Sequence, residues 1–247
     1  MKNIFYILLL TTQIFFAQSG FERGNDLYQK GKYDLAVKAY ESVLKANKES
    51  VELYFNLGNC YYKLQQTAPA IYNYEKALVL DPSNAAVLNN IKFAQKQTID
   101  EIKVVPKVGF GKLIRDLTGI YPFDTWAWIT VGLSTLFLLF FLGYYLSQTV
   151  VAKRIFFAGM FVILLFILMS ISAAFFEKSH FDNEKPAIVF AESTAVRSEP
   201  QKASGTIFVL HEGTKVYVEE TLENWKKIQL TDGSEGWIDG KAIKEVK

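Results

Sequence analysis

Two stretches carry no charged residue: Thr125 to Ala152, 28 positions, and Ile155 to Phe176, 22 positions. About 20 consecutive apolar residues cross the hydrocarbon core of a bilayer as a helix. A soluble domain rarely holds two such runs separated only by Lys153 and Arg154. The pattern predicts a two-helix transmembrane hairpin, with spans 125–147 and 155–176 joined by a short loop, 148–154. Neither run contains Asp, Glu, His, Lys or Arg, which argues against a transporter, proton relay or channel. Trp126, Trp128, Tyr144 and Tyr145 stand at the ends of the first span, where amphipathic rings favour the interface. Gly132, Gly143 and Gly159 are positioned to let helices approach closely.

The chain starts Met1-Lys2-Asn3, runs apolar from Ile4 to Phe16, and then reads Ala17-Gln18. A charged start, a short apolar stretch and a small residue form a secretory signal pattern, with cleavage expected after residue 17. An uncleaved N-terminal anchor is the alternative. Export places the chain from residue 18 onward outside the cytoplasm, which in a bacterium is the periplasm. Lys153 and Arg154 then sit in a cytoplasmic turn, as the positive-inside rule asks. Lys107, Lys112 and Arg115, just before the first span, pull the other way. The expected location is the bacterial inner membrane, multi-pass, with both soluble parts in the periplasm.

Between the signal and the first span, residues 18–98 repeat with a shift of 34. Gly24 falls on Gly58, Leu27 on Tyr61, Tyr28 on Tyr62, Ala36 on Ala70, Tyr40 on Tyr74 and Lys48 on Pro82. Small Gly58 and Ala70 allow two helices of one unit to approach, Tyr61 and Tyr74 fill the space beside them, and Pro82 breaks the chain. The order Tyr54, Leu57, Gly58, Tyr61, Ala70, Tyr74, Ala77, Pro82 resembles the tetratricopeptide repeat, which implies an all-α solenoid. Two repeats plus a half repeat from Ala85 are few for a stack whose units cannot bury their faces alone. Contact with a partner, another copy or the membrane-proximal segment is therefore expected. The resemblance also implies partner binding on the concave face of the first helices, at Asn25, Tyr28, Asn59, Tyr62, Asn89 and Lys96. Asn amides bond an extended peptide in both directions. Some repeats of this kind clamp a terminal carboxylate with Lys and Asn; Asn25 and Asn59 suit that, whereas Phe21 stands where the clamp has Lys. Cys60, in the same helix as Asn59, reads as a small core residue.

Residues 99–124 form a linker. Within it Phe110, Leu113, Ile114 and Leu117 share one helical face, with Lys112, Arg115 and Asp116 off it. That face suits either a membrane surface or the last repeat.

After a second linker, 177–186, residues 187–247 switch to short alternating runs. These are 188–190, 194–197, 206–210, 215–219, 225–230 and 236–238, punctuated by Ser198-Glu199-Pro200, Glu212-Gly213-Thr214, Glu223-Asn224 and Asp232-Gly233-Ser234. Such punctuation predicts a small β-barrel of five or six strands. Val196-Arg197-Ser198 with Pro200, Leu210 to Val216, Trp225 to Ile228 and Asp232 to Ile238 resemble a bacterial SH3 domain. The resemblance implies binding to cell-wall peptides or other proteins, with Tyr217, Trp225 and Trp237 as groove aromatics. Against that stands a core position for at least one of the two tryptophans. His211 is expected at an exposed strand end.

The fold class is therefore a multidomain membrane protein: an all-α tetratricopeptide solenoid, a two-helix transmembrane hairpin and an all-β SH3-like barrel. No phosphate loop, dinucleotide glycine pattern, metal-ligand spacing or catalytic triad stands out, so no catalytic or metal residue and no cofactor is expected. A net charge of +2 does not point to nucleic acid. The order signal, repeats, hairpin and SH3 module resembles the BatE-type proteins of the Bacteroidetes aerotolerance operon. That resemblance implies a non-enzymatic adaptor beside membrane-anchored von Willebrand factor A-type proteins and a MoxR-type ATPase, in aerotolerance or envelope stress. The alternative is a peptidoglycan-binding sensor acting through the SH3 module.

Overall fold

The computed structural model describes residues 20–102 and 110–247. The expected signal segment, 1–17, lies outside them. The chain divides into two compact units, Met1–Val105 with Lys185–Lys247, and Pro106–Glu184.

Among the described residues, the first unit begins with five helices: α1 (20–29), α2 (Tyr33–Lys45), α3 (Val51–Lys63), α4 (Thr67–Leu80) and α5 (Ala85–Gln95). Ser50 caps α3, its hydroxyl accepting from the Leu53 N–H, and Asn84 caps α5 by accepting from Val87. Such caps satisfy N–H groups that the helix leaves open. The 34-residue shift is exact in the turns. Gly31 and Gln65, both left-handed at φ 71° and 59°, join helices that close with the same pair of backbone bonds. The glycines do what their spacing asks. A Cβ on Gly24 would lie 2.3 Å from the Tyr40 ring, and one on Gly58 2.5 Å from that of Tyr74. Tyr74 thus takes the place beside Gly58. Tyr61, expected there too, instead donates its hydroxyl to Glu41 at 2.8 Å.

The same unit contains an antiparallel sheet of seven strands, one more than the upper expectation. They are β1 (Pro186–Val189), β2 (Ser193–Arg197), β3 (Thr206–His211), β4 (Lys215–Leu222), β5 (Trp225–Gln229), β6 (Glu235–Asp239) and β7 (Ile243–Glu245), ordered β3-β2-β6-β5-β4-β1-β7. Val189, Val196, Val216, Ile228 and Ile238 fill its interior. The extra strand, β7, follows a 3-10 turn at Gly240–Ala242 and pairs with β1.

Barrel and repeats share a core. Ile188 and Val246 belong to one buried cluster with Ile71, Tyr74 and Ala77 of α4 and Val87, Ile91 and Ala94 of α5. The β3–β4 turn presses on the repeats at Gly213, where φ is 86° and a Cβ would meet Thr98 at 2.8 Å and Thr67 at 3.0 Å. Asp100, whose side chain is 13% exposed, receives the His211 backbone N–H at 2.7 Å and the Thr214 hydroxyl at 2.6 Å, and its other oxygen lies 2.8 Å from His211 Nδ1. Lys215 reaches the buried Glu75 carboxylate of α4 at 2.7 Å. The short solenoid is covered not by a partner, another copy or the membrane-proximal segment, as expected, but by the barrel of its own chain, and His211 is engaged rather than exposed.

The second unit holds α6 (Phe110–Thr118), α7 (Phe123–Leu146) and α8 (Val150–Asn183). The last two are long and apolar enough to cross a membrane. Phe140 packs on Gly159 and Phe156 on Gly143, and the two rings meet edge to face at 5.6 Å. Nothing lies within 4 Å of a Cβ at Gly132, so that glycine makes no close approach. Buried Ser170 donates to the Trp126 carbonyl at 3.0 Å. Two boundaries shift from expectation. Lys153 and Arg154 belong to the first turns of α8, because Thr149 caps that helix by accepting from Ala152. The linker from 177 is mostly helix, since Lys178–Asp182 and His180–Glu184 pairs support the ladder beyond the apolar run. Between the two sites left open for it, α6 packs within this unit. Thr118 donates to Glu177 of α8 at 2.5 Å and its carbonyl accepts from Trp126 Nε1 at 2.7 Å.

Gly58→Ala should destabilise the repeats by about 1–3 kcal/mol, since the Tyr74 ring has nowhere to move. The same change at Gly205, which has open space around it, should leave the melting curve unaltered.

Burial disfavours the Asp100 charge, but the bonds from Thr214 and His211 and the His211 charge outweigh it, and the carboxyl pKa is lowered. A depressed carboxyl stabilises above its unfolded pKa of about 3.9 and loses that contribution as pH falls through the folded value. Barrel–repeat docking, followed by hydrogen exchange at 211–215, should therefore loosen in acid below about pH 4. In Asp100→Asn that acid dependence should be absent.

Candidate functional site

The first helices of the repeats present one surface. Across it, Asn25 Oδ1 accepts from the Tyr40 hydroxyl at 2.6 Å and from Asn56 Nδ2 at 3.0 Å. One repeat later, Asn59 Oδ1 accepts from Tyr74 at 2.7 Å and Asn90 Nδ2 at 2.8 Å. Each Asn carbonyl thus ties the second helix of its own repeat to the first helix of the next. Both lone pairs are consumed, and what Asn59 still presents is its amide N–H2.

A cavity of about 300 Å³ opens here, lined by Tyr28, Asn59, Tyr62, Lys63, Tyr74, Asn90 and Phe93. Of the residues expected to bind a partner, Tyr28, Asn59 and Tyr62 come together in it. Asn25 sits one rung earlier in the ladder. Asn89 is exposed and does not line the cavity; the neighbouring Asn90 does. Lys96 stands beside it, its ammonium 5.5 Å from the centre of the Phe93 ring. Asn90 and Phe93 were legible from the repeat shift, as the equivalents of Asn56 and of Asn25 and Asn59. Phe93 takes the rung where the earlier repeats place Asn, and its ring is 48% exposed. The result is a trough of aromatic faces edged by amides and two lysines. It suits an extended peptide with apolar side chains.

Cys60 lies under this surface, fully buried among Leu53, Leu57 and Ala36. Burial pushes its thiol up to about 12. A thiol held protonated is a poor nucleophile. Iodoacetamide at pH 8 should leave it unmodified in the folded protein and alkylate it fully in denaturant, as intact mass would record.

On the barrel, Tyr217, Trp225 and Trp237 are all half-exposed. Tyr217 alternates with buried Val216 and Val218, and Trp237 with Gly236 and Ile238. Period-two geometry puts them on the outer face. Neither tryptophan joins the interior cluster, which differs from the core position weighed for one of them. The aliphatic residues of β4, β5 and β6 already fill that space. Trp237 pairs with Lys227 on one side and Arg197 on the other, and Trp225 with Asp239. The Lys215 ammonium lies 5.6 Å from the centre of the Tyr217 ring. Among the described residues no group of three or more His, Cys, Asp or Glu is arranged to hold a metal.

Residues 21–85 match the tetratricopeptide repeat family model, and residues 192–244 match that of the bacterial SH3 domain. Among known proteins, Hsp70-Hsp90 organizing protein 3 of Arabidopsis thaliana is 39% identical over 62 residues, 25% of this chain and 11% of that protein. Sperm-associated antigen 1 of Rattus norvegicus is 35% identical over 75 residues, 30% of this chain and 8% of that protein. Hsp70-Hsp90 organizing protein 1 of Glycine max is 36% identical over 62 residues, 25% of this chain and 11% of its own length. The chain thus spans about a tenth of the relatives it matches. Both matched modules fit a protein–protein interaction or binding role.

Proposed function

We propose that this chain is a non-enzymatic membrane scaffold whose repeat groove holds an extended segment of a partner protein. The trough at Tyr28, Asn59, Tyr62, Lys63 and Phe93 carries this reading, because it combines exposed aromatic faces with amides in a surface already rigid from its Asn–Tyr ladder. The relatives named for organizing Hsp70 and Hsp90 belong to the same idea, a repeat module that brings other proteins together.

The anchoring part rests on α7 and α8 as membrane spans. Support comes from the joint between repeats and barrel. Segments before and after the hairpin touch at Asp100–His211 and Glu75–Lys215, and a chain whose flanks touch crosses a bilayer an even number of times. Both modules then share one side. With the N-terminal signal pattern and the basic pair Lys153-Arg154, that side is the periplasm and the membrane is the bacterial inner membrane. The arrangement agrees with a BatE-type adaptor in an aerotolerance or envelope-stress complex, with von Willebrand factor A-type membrane proteins as partners. The outward Trp225 and Trp237 favour a second reading, in which the barrel binds peptidoglycan.

In-cell crosslinking, detergent capture and mass spectrometry decide between them. Tyr62→Ala with Phe93→Ala should lose the captured membrane proteins while the circular dichroism melt stays near wild type. These two side chains serve better than Asn59, whose removal would strand the buried Tyr74 hydroxyl. Unchanged capture would sink the groove assignment. Co-sedimentation with purified peptidoglycan that Trp237→Ala abolishes would move the sensor reading ahead.

A further inference from the structure

A second cavity, of about 270 Å³, opens where the barrel meets the repeats. It is lined by residues of α2, α3 and α4, with Phe190 and Lys244 from the barrel, so neither module builds it alone. Its floor is aromatic. Tyr72 and Phe190 meet edge to face at 5.6 Å, and Tyr54 and Tyr61 face it from α3.

The charges are distributed unevenly. The Lys244 ammonium sits 4.2 Å from the centre of the Tyr72 ring and 5.7 Å from that of Phe190, and Lys76 lies 5.9 Å from the Tyr54 ring centre. Among the described residues neither lysine has a carboxylate within ion-pair distance, although each is held at the cavity by an aromatic face. The one carboxylate in the lining, Glu41, accepts from the Tyr61 hydroxyl at 2.8 Å. Asn73, only 7% exposed, donates its Nδ2 to the Pro69 carbonyl, which leaves its oxygen to accept.

We propose that this cleft is a binding site for a short acidic peptide segment, with one aromatic or apolar side chain on the Tyr72–Phe190 floor and a carboxylate on Lys76 and Lys244. The peptide's N–H groups face Glu41 and Asn73, so its polarity matches the cleft at both ends. The volume lies just below the range of about 300–1,000 Å³ typical of small-molecule pockets and suits one or two residues. Because Lys244 and Phe190 come from the barrel and Lys76 and Tyr54 from the repeats, occupancy holds the two modules together. The site is separate from the repeat groove, and no residue lines both.

The test uses the full chain in detergent micelles and the probe Ala-Phe-Glu, labelled with fluorescein at its amino end, read by anisotropy. Saturable binding is expected, weakening as salt rises. Lys76→Gln and Lys244→Gln should each weaken it roughly tenfold, as loss of a charge-assisted bond does. Lys76→Arg should retain it, and Lys202→Gln, at an exposed loop, should not alter it. Lys76 lies outside the barrel–repeat ion pairs, so its variants keep the question open to refutation if Lys244→Gln loosens the docking. Absence of saturable binding, or full binding in the Lys76→Gln, Lys244→Gln double variant, overturns the proposal. So does loss of binding in Phe93→Ala, which would put the peptide in the groove instead.

Discussion

The carboxylate of Asp100 organises this molecule more than any other group. It lies just past the repeats, at the start of the linker, yet it accepts from the backbone and hydroxyl of a turn 111 to 114 residues further along. Everything between those positions, including the two long apolar helices, is an excursion that must return the chain to its starting point. Two and a half repeats leave one flank of α4 and α5 to be covered. Ile188 and Val246 bury it, and the bonds on Asp100 and Glu75 decide in which orientation. A few contacts therefore link solenoid stability and barrel position.

Apolar burial supplies most of the attraction at such a joint, but it is non-directional. Buried ionic groups contribute less net stability and more orientation when every oxygen is matched. Glu75, 6% exposed, lies on α4 in front of Lys215, and Asp100 faces the N–H and hydroxyl of the same turn. Sliding the barrel by one turn of α4 would leave a carboxylate buried without a partner, at a cost of several kcal/mol. Gly213 allows the backbone to come close enough, since any side chain there would strike Thr98 or Thr67.

Much of this was legible in the sequence. A shift of 34 residues located the paired helices and matched Gly24 with Gly58 and Tyr40 with Tyr74. Alternation and turn residues located the barrel strands, and the charge-free runs the long helices. What stayed hidden has physical reasons. Spacing identifies equivalent positions, not what their side chains bind. Asn25 and Asn59 look like ligand amides, and the structure spends their oxygens on Tyr40, Tyr74 and the next helix. Period-two reading leaves a tryptophan on either face until register is known, which is why Trp225 and Trp237 stayed open. The Asp100–His211 pairing joins segments with no shared pattern, so nothing local announces it. The extension of α8 to Asn183 rests on side-chain pairs four residues apart in a polar stretch that reads as linker.

The joint and the groove do not compete, because repeat geometry divides them. First helices α1, α3 and α5 present Tyr28, Tyr62 and Phe93 to the groove, while the second helix α4 gives Thr67, Ile71 and Glu75 to the barrel. Tyr74 spans both, its ring on Gly58 and in the shared core, its hydroxyl on Asn59 at the groove wall. Tyr74 thus belongs both to the groove wall and to the cluster that seats Ile188 and Val246. Two modules that share a core in this way are held in one orientation, which a flexible tether between them would not do.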